Sequence, residues 1–345
     1  MGKCIFVIIF MNFIKTIMKT YKIGIIGAGH IAEKMASTIN QMENTETYAI
    51  ASRQLEKAKN FALKYGIKKA YGSYKELVED NNIDLVYIAT PHSLHYEHAH
   101  LCIEYGKPVL CEKAFTANAR QAEKLLTFAK EKQVFITEAI WTRFMPFSKT
   151  IRQILDDGII GRPMTLTASL SYPIADKERI IKPELAGGAL LDIGVYPINF
   201  AFMCFGHDIK EINSTCIKTD TGVDAQNSIT FIYNDGRMAV MQSNIYCAGD
   251  RQGIICGDKG YVVIDNINNP QKASIYTEGH SLIKTLTCPQ QISGYEYEVY
   301  ASLAALEHRT LECDDMPHNE TLYVMQILDK LRHKWGVHFP IDDCL

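Results

Sequence analysis

The chain contains 345 residues, of which 47% are hydrophobic and 22% charged, and its formal net charge at pH 7 is −3. This length allows two domains of ordinary size, the composition is typical of a soluble globular protein, and the lack of a basic run argues against a nucleic-acid partner. The ten cysteines show no Cys-x-x-Cys pair and no regular spacing, so we expect reduced thiols in a cytoplasmic protein and no disulfide framework.

The first residues differ in composition from the rest of the chain. Residues 1–14 combine a positive charge with a short apolar run, as a signal peptide does, but the run is too short to span a bilayer as a helix. Residues 15–20 lack a cleavage site of small residues. We predict that residues 1–19 are an extension outside the fold, with no membrane partner. A membrane anchor at residues 4–14 is the alternative interpretation.

A strand–turn–helix motif follows directly. The apolar run at residues 23–26 predicts a buried strand, and it ends at Gly27 and Gly29. From His30 onward, apolar residues recur at four-residue spacing, which predicts a helix. In this Gly-x-Gly-x-x-Ala pattern the glycines permit a tight turn and a close backbone approach, and the helix N-terminus attracts a pyrophosphate. We therefore expect Gly27, Gly29, His30 and Ile31 to contact a dinucleotide.

The end of the second predicted strand indicates which dinucleotide is bound. Residues 47–51 predict this strand, and an NAD-selective fold usually carries an acidic residue just after it to bind the ribose. This chain has Ser52, Arg53 and Lys57 there instead. A hydroxyl and two cations favour a 2′-phosphate, so NADP is predicted over NAD. The alternative is that Arg53 belongs to a solvated surface.

Strands and helices alternate through the first 140 residues. Further strands are predicted at residues 70–71, 83–89, 108–112 and 134–137, with helices at 55–65, 95–105 and 118–132 between them. This order predicts a parallel, doubly wound α/β sheet, a Rossmann domain, over residues 20–140. Ligands bind at the carboxyl ends of such strands. Further cofactor contacts are therefore expected from Thr90, Pro91, His95, Glu112 and Lys113.

Four histidines crowd one segment of this domain: His92, His95, His98 and His100. The first three are spaced three residues apart, and no cysteine or acidic ligand lies between them at zinc-like spacing. We expect these side chains to pack and hydrogen-bond beside the cofactor, and we predict no metal.

The pattern changes after residue 140. Helices are predicted at 146–159, 189–205, 296–310 and 320–335, and strands at 165–170, 211–218, 228–233, 237–245, 252–256, 261–265 and 273–278. Turn sequences at 234–236 and 257–260 indicate two hairpins. We predict an α+β domain over residues 141–345 with a large, open, mostly antiparallel sheet. A second subunit is expected to cover its free face, which makes the protein a homodimer.

Several polar residues of this sequence are candidates for catalysis and substrate binding. Lys113 ends a strand on the cofactor rim, where it can orient a hydroxyl or relay its proton. Asp192 and Tyr196 lie four residues apart on the apolar helix predicted at 189–205, and Asn199 follows three later. A carboxylate, a phenol and an amide are costly to bury without partners, so we expect them to bind a polyol and carry its proton.

An aromatic residue and a cation follow the sixth predicted strand, at the junction of the two domains. These are Trp141 and Arg143. Together they are typical of a site for a sugar or an aromatic diol, and core packing of Trp141 is the alternative.

With these motifs, the chain resembles the glucose–fructose oxidoreductase / inositol dehydrogenase / rhizopine-catabolism family from about Lys19 onward. The family's Glu-Lys-Pro motif stands here as Glu112-Lys113-Ala114, and its Gly-Gly-x-x-x-Asp-x-Gly-x-Tyr motif runs from the glycines at 187–188 to Tyr196. Residues 138–144, 187–196 and 221–224 look most like the branch of dimeric dihydrodiol dehydrogenases and NADP-dependent D-xylose dehydrogenases.

The resemblance implies a role for each matching residue. It makes Lys113 and Tyr196 the catalytic pair, places Trp141 in the substrate site, and assigns Arg53 to the 2′-phosphate. It also implies a dimer through the open sheet. The chain departs from the family where Ala114 replaces the usual proline, which would stiffen the turn that holds Lys113.

The function expected from the sequence is an NADP-dependent dehydrogenase acting on a CH–OH group of a sugar, polyol or cyclic diol. Tyr196 would donate or accept the proton, Lys113 would lower the pKa of Tyr196 or relay its proton, and Asp192 would hold the substrate or the tyrosine. The alternative is a non-catalytic NADP-binding sensor on the same scaffold. Retention of both Lys113 and Tyr196 argues against a sensor, which needs no proton relay.

Overall fold

The computed structural model describes residues 19–343, so the predicted extension lies outside the described residues except for Lys19. The first part of the chain forms a six-stranded parallel sheet in the order β3-β2-β1-β4-β5-β6, with helices between the strands. Its elements are β1 (Tyr21–Ile26), α1 (His30–Ile39), β2 (Thr45–Ala51), α2 (Leu55–Tyr65), β3 (Lys69–Tyr71), α3 (Tyr74–Glu79), β4 (Leu85–Ile88), α4 (His95–Glu104), β5 (Val109–Glu112), α5 (Ala119–Lys132) and β6 (Ile136–Ala139).

This sheet confirms the predicted Rossmann architecture. Its central strands are apolar because helices cover both faces of a parallel sheet. Two details differ from the prediction. Helix α3, which begins with a capping box of Ser73 and Glu76, was not predicted. Strand β6 lies two residues later than expected, so Glu138, which follows the predicted strand, is buried inside the observed one.

The second part of the chain forms an eight-stranded sheet in the order β14-β13-β12-β11-β7-β10-β9-β8. All its neighbouring strands are antiparallel except β7 and β10, which confirms the mostly antiparallel sheet. The strands are β7 (Pro163–Ser171), β8 (Ile209–Lys218), β9 (Asp224–Tyr233), β10 (Met238–Asn244), β11 (Gly253–Gly257), β12 (Gly260–Ile264), β13 (Lys272–Thr277) and β14 (Leu282–Thr287). Strand β14 was not predicted.

Helices cover one face of this sheet. They are α6 (Pro146–Asp156), the short α7 (Glu178–Ile181), α8 (Val195–Phe205), α9 (Glu296–His308) and α10 (His318–Lys334). Helix α8 packs against β7 and β10. Among the described residues, the helical stretch 183–205 is the one long and apolar enough to cross a membrane by length and composition, but 94% of it is buried in the protein. It is therefore the central helix of this domain.

One helix of the second part of the chain is divided into two elements. The stretch predicted as a single α-helix over residues 189–205 begins with a π-helical turn, Leu190–Gly194, and continues as α8. Asp224 holds the start of this turn, because its Oδ2 accepts a hydrogen bond of 2.7 Å from the Leu190 N–H. The π turn carries Asp192, and α8 carries Tyr196.

The end of the chain packs back onto the Rossmann sheet. Helix α10 lies against α5, and Asp329 accepts a 2.7 Å hydrogen bond from the Ala119 N–H at the start of α5. The fully buried Arg332 forms ion pairs with Asp329 and Asp342. Because these contacts join the two sheets through the C-terminal helix, the domain limits 20–140 and 141–345 stay a prediction.

Candidate active site

A cleft of about 850 Å³ lies between the two sheets, at the carboxyl ends of the parallel strands. Its cofactor end is lined by Gly27, Gly29, His30, Ile31, Lys34, Ser52, Arg53, Lys57, Tyr74, Thr90 and Pro91. Its other end is lined by His92, Glu112, Lys113, Tyr172, Ile174, Lys177, Arg179, Leu185, Asp192, Ile193, Tyr196, Asn268 and Tyr295. The structure thus brings most of the predicted cofactor and catalytic residues into one cleft.

The glycine turn after β1 fits a pyrophosphate. Gly27 has a φ of +99°, and a Cβ atom there would press on the Ala89 carbonyl oxygen, so the turn requires glycine. Gly29 is the N-cap of α1, has no side-chain cap, and has no atom within 4 Å of where a Cβ would stand. The first N–H groups of α1 therefore face open space at the positive end of the helix dipole.

The residues after β2 fit a 2′-phosphate. Arg53 and Lys57 are exposed on the cleft, and neither side chain forms an ion pair with another residue between 19 and 343. Ser52 is buried beside them, and its Oγ accepts a hydrogen bond from the Gln54 N–H at 3.4 Å. Two cations at this position are suited to bind an additional phosphate. Neither can accept a hydrogen bond from a ribose 2′-hydroxyl, as a carboxylate does in NAD-selective folds.

Of the clustered histidines, His95 was expected to contact the cofactor, but the structure places His92 on the cleft and not His95. His95 is completely buried, with Nδ1 2.9 Å from the Ala114 carbonyl and Nε2 2.8 Å from the Thr90 carbonyl, so it braces the rim and does not line the cleft. His92 lines the cleft instead, and its Nδ1 lies 3.0 Å from the Ala186 carbonyl. Burial lowers the pKa of His92 to about 3, so this imidazole is neutral at pH 7.

Lys113 reaches across the cleft from the end of β5. Its Nζ donates to the main-chain carbonyl of Asp192 at 2.6 Å and lies 3.4 Å from Asp192 Oδ1. The same Nζ lies 5.1 Å from the centre of the Tyr196 ring. The preceding Glu112 is buried, where it accepts hydrogen bonds from the Tyr87 hydroxyl and from the Lys113 N–H. Burial raises the pKa of Glu112.

Asp192 is a buried carboxylate held by cations. Its Oδ1 lies 2.6 Å from Arg179 Nη1, 3.4 Å from Lys113 Nζ and 4.0 Å from His92 Nε2. Burial alone would raise the pKa of Asp192, but the charges of Lys113 and Arg179 outweigh it and hold the pKa below its usual value. Because His92 is neutral at pH 7, the two cations account for this effect, and Asp192 stays ionised.

Tyr196 is a protonated phenol in this geometry. Burial raises its pKa well above 10, and the nearby Tyr295, Glu112 and Asp192 raise it further. The pKa of Tyr196 is thus raised and not lowered as expected from Lys113, whose Nζ lies 5.1 Å from the ring centre. In this arrangement Tyr196 can donate a proton at the cleft surface.

A wall of aromatic and amide side chains faces these residues. Asn268 donates from Nδ2 to the Tyr172 hydroxyl at 3.2 Å and accepts at Oδ1 from the Trp141 indole N–H at 3.2 Å. The Trp141 ring stacks on Tyr295 with 4.2 Å between ring centres. Trp141 therefore supports the wall from behind, while Tyr172, Asn268 and Tyr295 present the surface.

Two of the predicted substrate residues lie elsewhere. Arg143 and Asn199 do not line the cleft. The Arg143 guanidinium donates to Asn199 Oδ1 at 2.6 Å and forms an ion pair with Glu320. Asn199 is fully buried and also donates to the Val195 carbonyl. These contacts hold both side chains within the protein and away from the cleft.

Sequence reasoning missed the residues that the second domain brings to the cleft: Tyr172, Ile174, Lys177, Arg179, Leu185, Asn268 and Tyr295. They come from three separate parts of the sequence: residues 172–185, Asn268 and Tyr295. No common spacing links them, so no sequence pattern could have predicted them together. His92 was seen in the histidine cluster but not predicted as a cleft residue.

Comparison with known families agrees with this geometry. The model of the GFO/IDH/MocA oxidoreductase family, an NAD-binding Rossmann fold, matches residues 21–139. The model of the GFO/IDH/MocA C-terminal domain matches residues 148–263.

Individual relatives resemble nearly the whole chain. A trans-1,2-dihydrobenzene-1,2-diol dehydrogenase of Xenopus tropicalis is 34% identical, with 92% of this chain and 99% of the relative covered. A D-xylose 1-dehydrogenase (NADP(+)) of Hypocrea jecorina is 33% identical, with 79% of this chain and 78% of the relative covered. The crystal structure of a 3-ketoreductase from Actinomadura kijaniata with NADP and TDP-benzene superposes with a TM-score of 0.84 at 25% identity, covering 91% of this chain and 98% of that one.

Proposed function

The chain belongs to the GFO/IDH/MocA oxidoreductase family, and from this membership and the cleft we propose that it is an NADP-dependent dehydrogenase or reductase. Its substrate is a sugar, polyol or cyclic diol, as in the dihydrodiol and D-xylose dehydrogenases that it resembles. The observation that carries the proposal is the convergence of Lys113, Asp192 and Tyr196 beside the glycine turn in one cleft.

The residues that hold the cofactor follow from their positions. The glycine turn and the first N–H groups of α1 bind the pyrophosphate, and Ser52, Arg53 and Lys57 bind the 2′-phosphate. Thr90, Pro91 and Glu112 border the part of the cleft where the nicotinamide fits. When bound, NADP supplies a hydride acceptor or donor at the nicotinamide C4.

Side chains of the protein transfer the proton. In carbonyl reduction Tyr196, which burial keeps as a phenol, donates its proton to the carbonyl oxygen that becomes the hydroxyl. In oxidation the Tyr196 oxygen receives the hydroxyl proton as its own phenolic proton passes to Lys113, which gives up one of its protons to solvent. Lys113, with one N–H not used by Asp192, hydrogen-bonds the reacting oxygen and relays the proton. Asp192 fixes the lysine side chain in place.

The wall of Tyr172, Asn268 and Tyr295 supports a polyhydroxylated ring as substrate. An aromatic face packs against the C–H face of a sugar or diol ring, and the amide and phenol groups hydrogen-bond its hydroxyls. Trp141 contributes by fixing this wall.

A non-catalytic NADP-binding regulator is the rival function. A regulator needs the phosphate contacts, but it has no use for an ammonium, a carboxylate and a phenol converging where the nicotinamide fits. The contacts of Lys113 with Asp192 and Tyr196 therefore favour an enzyme.

Turnover of catalytic variants tests the proposal. Formation of NADPH is followed by its absorbance on a panel of aldoses, inositols and cyclic diols, with NAD in parallel. We expect activity with NADP, and we expect Tyr196→Phe and Lys113→Met each to lower kcat by about 100-fold or more while NADPH binding, measured by fluorescence, is retained. Tyr105→Phe, an exposed tyrosine at the end of α4, is the matched control. Wild-type activity within a few fold in both variants would contradict these roles.

Two further properties belong to this proposal. The open face of the second sheet joins a second copy of the chain into a homodimer, because strands β7 and β9–β12 carry no Lys, Arg or Glu and expose a broad uncharged surface. The enzyme works in the cytoplasm, where the eight described cysteines, all free, stay reduced.

A further inference from the structure

Two cations share one carboxylate oxygen in the cleft. Asp192 Oδ1 lies 2.6 Å from Arg179 Nη1 and 3.4 Å from Lys113 Nζ, so the arginine makes the closer contact. Asp192 is buried, Lys113 is 13% exposed, and Arg179 is 44% exposed at the cleft wall. Nothing in the proposed proton transfer uses Arg179, although it stands in direct contact with a residue that does.

Arg179 is delivered by a separate segment. It lies on the four-residue helix α7, in the connection between β7 and the π turn that carries Asp192. This connection is held by the Gly188 N–H, which donates to the Ile180 carbonyl at 2.7 Å, and by Ala186, whose carbonyl lies 3.0 Å from His92 Nδ1. The segment therefore brings Arg179 to Asp192 in a defined position.

The electrostatic surroundings of Asp192 come from several elements. The titratable or charged groups around Asp192 and Lys113 are Arg179 from α7, His92 and His95 after β4, Glu112 from β5, Tyr196 from α8 and Tyr295 before α9, and Lys177 lines the same end of the cleft. Burial lowers the pKa of both histidines, which are therefore neutral at pH 7, and raises the pKa of Glu112 and of both tyrosines. Arg179 is thus the cation that competes with Lys113 for Asp192.

The competition between Arg179 and Lys113 for Asp192 sets the position of the Lys113 ammonium. A lone carboxylate beside Lys113 would take the ammonium into a close ion pair, because the attraction between opposite charges strengthens as they approach in a buried site. With Arg179 on the same oxygen, the Lys113–Oδ1 distance stays at 3.4 Å, and the short contact of Nζ is with a main-chain carbonyl. An N–H of Lys113 then remains available to the cleft.

We propose that Arg179 is a positioning residue: it takes up the Asp192 carboxylate and so leaves the Lys113 ammonium free to act on the reacting oxygen. The inference rests on the proposed function and assigns to Arg179 a part in the same reaction. Arg179 lines the end of the cleft away from the glycine turn, so we expect it to act on kcat and its pH dependence and not on cofactor binding.

Neutral and charge-conserving variants of Arg179 test the inference. Arg179→Gln removes the charge, and Lys113 then bears the whole attraction of Asp192 without a neighbouring cation. With one cation fewer beside Asp192, the charge around the transferred proton changes, so the kcat–pH profile of alcohol oxidation shifts, and kcat at pH 7 falls roughly 10- to 100-fold. NADPH affinity stays unchanged.

Arg179→Lys restores a cation, and because Arg179 uses a single nitrogen on Asp192, a lysine can replace it. We expect this variant to recover most of kcat and the wild-type pH profile. The matched control is Lys182→Gln, which removes a cation from the same segment where it pairs only with Glu178. It should change neither quantity.

The outcomes separate the two proposals. A wild-type chain that turns over no substrate of the panel overturns the proposed function and this inference with it. An active wild type whose Arg179→Gln variant keeps kcat and the pH profile, or changes only the KM of the substrate, overturns this inference alone. So does a folded Arg179→Lys variant that remains as impaired as Arg179→Gln.

Discussion

At the residue scale, the chain keeps several carboxyl groups in its interior. Glu298 on α9 is completely buried, and neither of its oxygens has a hydrogen-bond partner among residues 19–343. Burial, with the nearby Glu112, raises its pKa well above the usual value. Burial likewise raises the pKa of Glu138 to about 7 and that of Asp224 to about 6. The native state therefore holds protons that the unfolded chain releases.

Glu298 provides the clearest stability test of this set. An unfolded glutamate ionises above a pH of about 4.3, whereas native Glu298 stays protonated at higher pH. The free energy of unfolding of the wild type therefore falls as the pH rises above about 4.3. Glu298→Gln removes this loss. We expect its free energy of unfolding to match that of the wild type near pH 4 and to exceed it increasingly at higher pH, by up to about 1.4 kcal/mol per pH unit, as measured by urea denaturation.

The control for this prediction is Glu131→Gln, an exposed glutamate on α5, which should show no such pH-dependent gain. A Glu298→Gln variant that is less stable than the wild type at pH 8 would contradict the prediction, because it would mean that the ionised carboxylate is stabilised in the native state.

Individual residues also show which parts of the site could be predicted from the sequence. Gly27, Gly29 and Arg53 were predictable because their local pattern sets their place beside a turn or a strand end. Arg143 was not, because the partner that removes it from the cleft, Glu320, lies 177 residues away and on another element. Arg179 was missed for a different reason. Its partner Asp192 is only 13 residues away, but Asp192 lies on the π turn, which the sequence pattern did not predict.

At the element scale, the π turn and α8 form the part of the fold that positions Asp192 and Tyr196. Helical periodicity predicted a helix here but could not reveal the π turn, since one extra residue in a turn leaves an apolar stretch apolar. What fixes the turn is tertiary: Asp224 from β9 receives the Leu190 N–H and is itself held by Asn227 at 3.0 Å.

Gly188, at the entrance to the π turn, tests this arrangement. Its φ is +117°, and a Cβ atom there would overlap Asp224 Oδ1. Gly188→Ala should therefore lower the free energy of unfolding by about 2–5 kcal/mol, from backbone strain and displacement of Asp224 together. It should also reduce kcat, because the turn that carries Asp192 moves. Chemical denaturation and steady-state kinetics measure the two effects.

Gly222→Ala separates the two causes. Gly222 also has a positive φ, of +92°, but no atom lies within 4 Å of its Cβ position. We expect a cost of about 1–2 kcal/mol there, from strain alone, with kcat unchanged. Equal costs in the two variants would show that contact with Asp224 does not fix the turn.

At the scale of the whole molecule, alternation of strands and helices was enough to predict both sheets. The relation between them was not readable, because it depends on contacts such as Asp329 with the start of α5, across 210 residues. The second sheet also leaves one face open. On its central strands this face presents Thr167, Val240 and other uncharged side chains, and Val240 and Thr167 are neighbours in register.

The size of this face suits a dimer. Eight strands about 4.8 Å apart give a width of about 38 Å, and strands of five to ten residues are about 17–33 Å long. Such a surface approaches or exceeds the roughly 800 Å² per partner that a stable interface buries. A charged surface would lose solvation on burial, but the central strands of this face, β7 and β9–β12, carry no Lys, Arg or Glu.

A lysine at the centre of the open face should therefore separate the proposed dimer. Val240 is 40% exposed on β10, and Val240→Lys places a charge from each copy in the same buried interface. Like charges in such a setting cost several kcal/mol, so the dissociation constant should rise about 100-fold or more. In sedimentation velocity the wild type should run at twice the chain mass of 38.9 kDa and the variant at that mass. Leu63→Lys makes the same exchange at an 86% exposed position on α2 and should leave the dimer intact. If the wild type sediments as a monomer, or if Val240→Lys remains a dimer, the open sheet is not the surface through which two copies join.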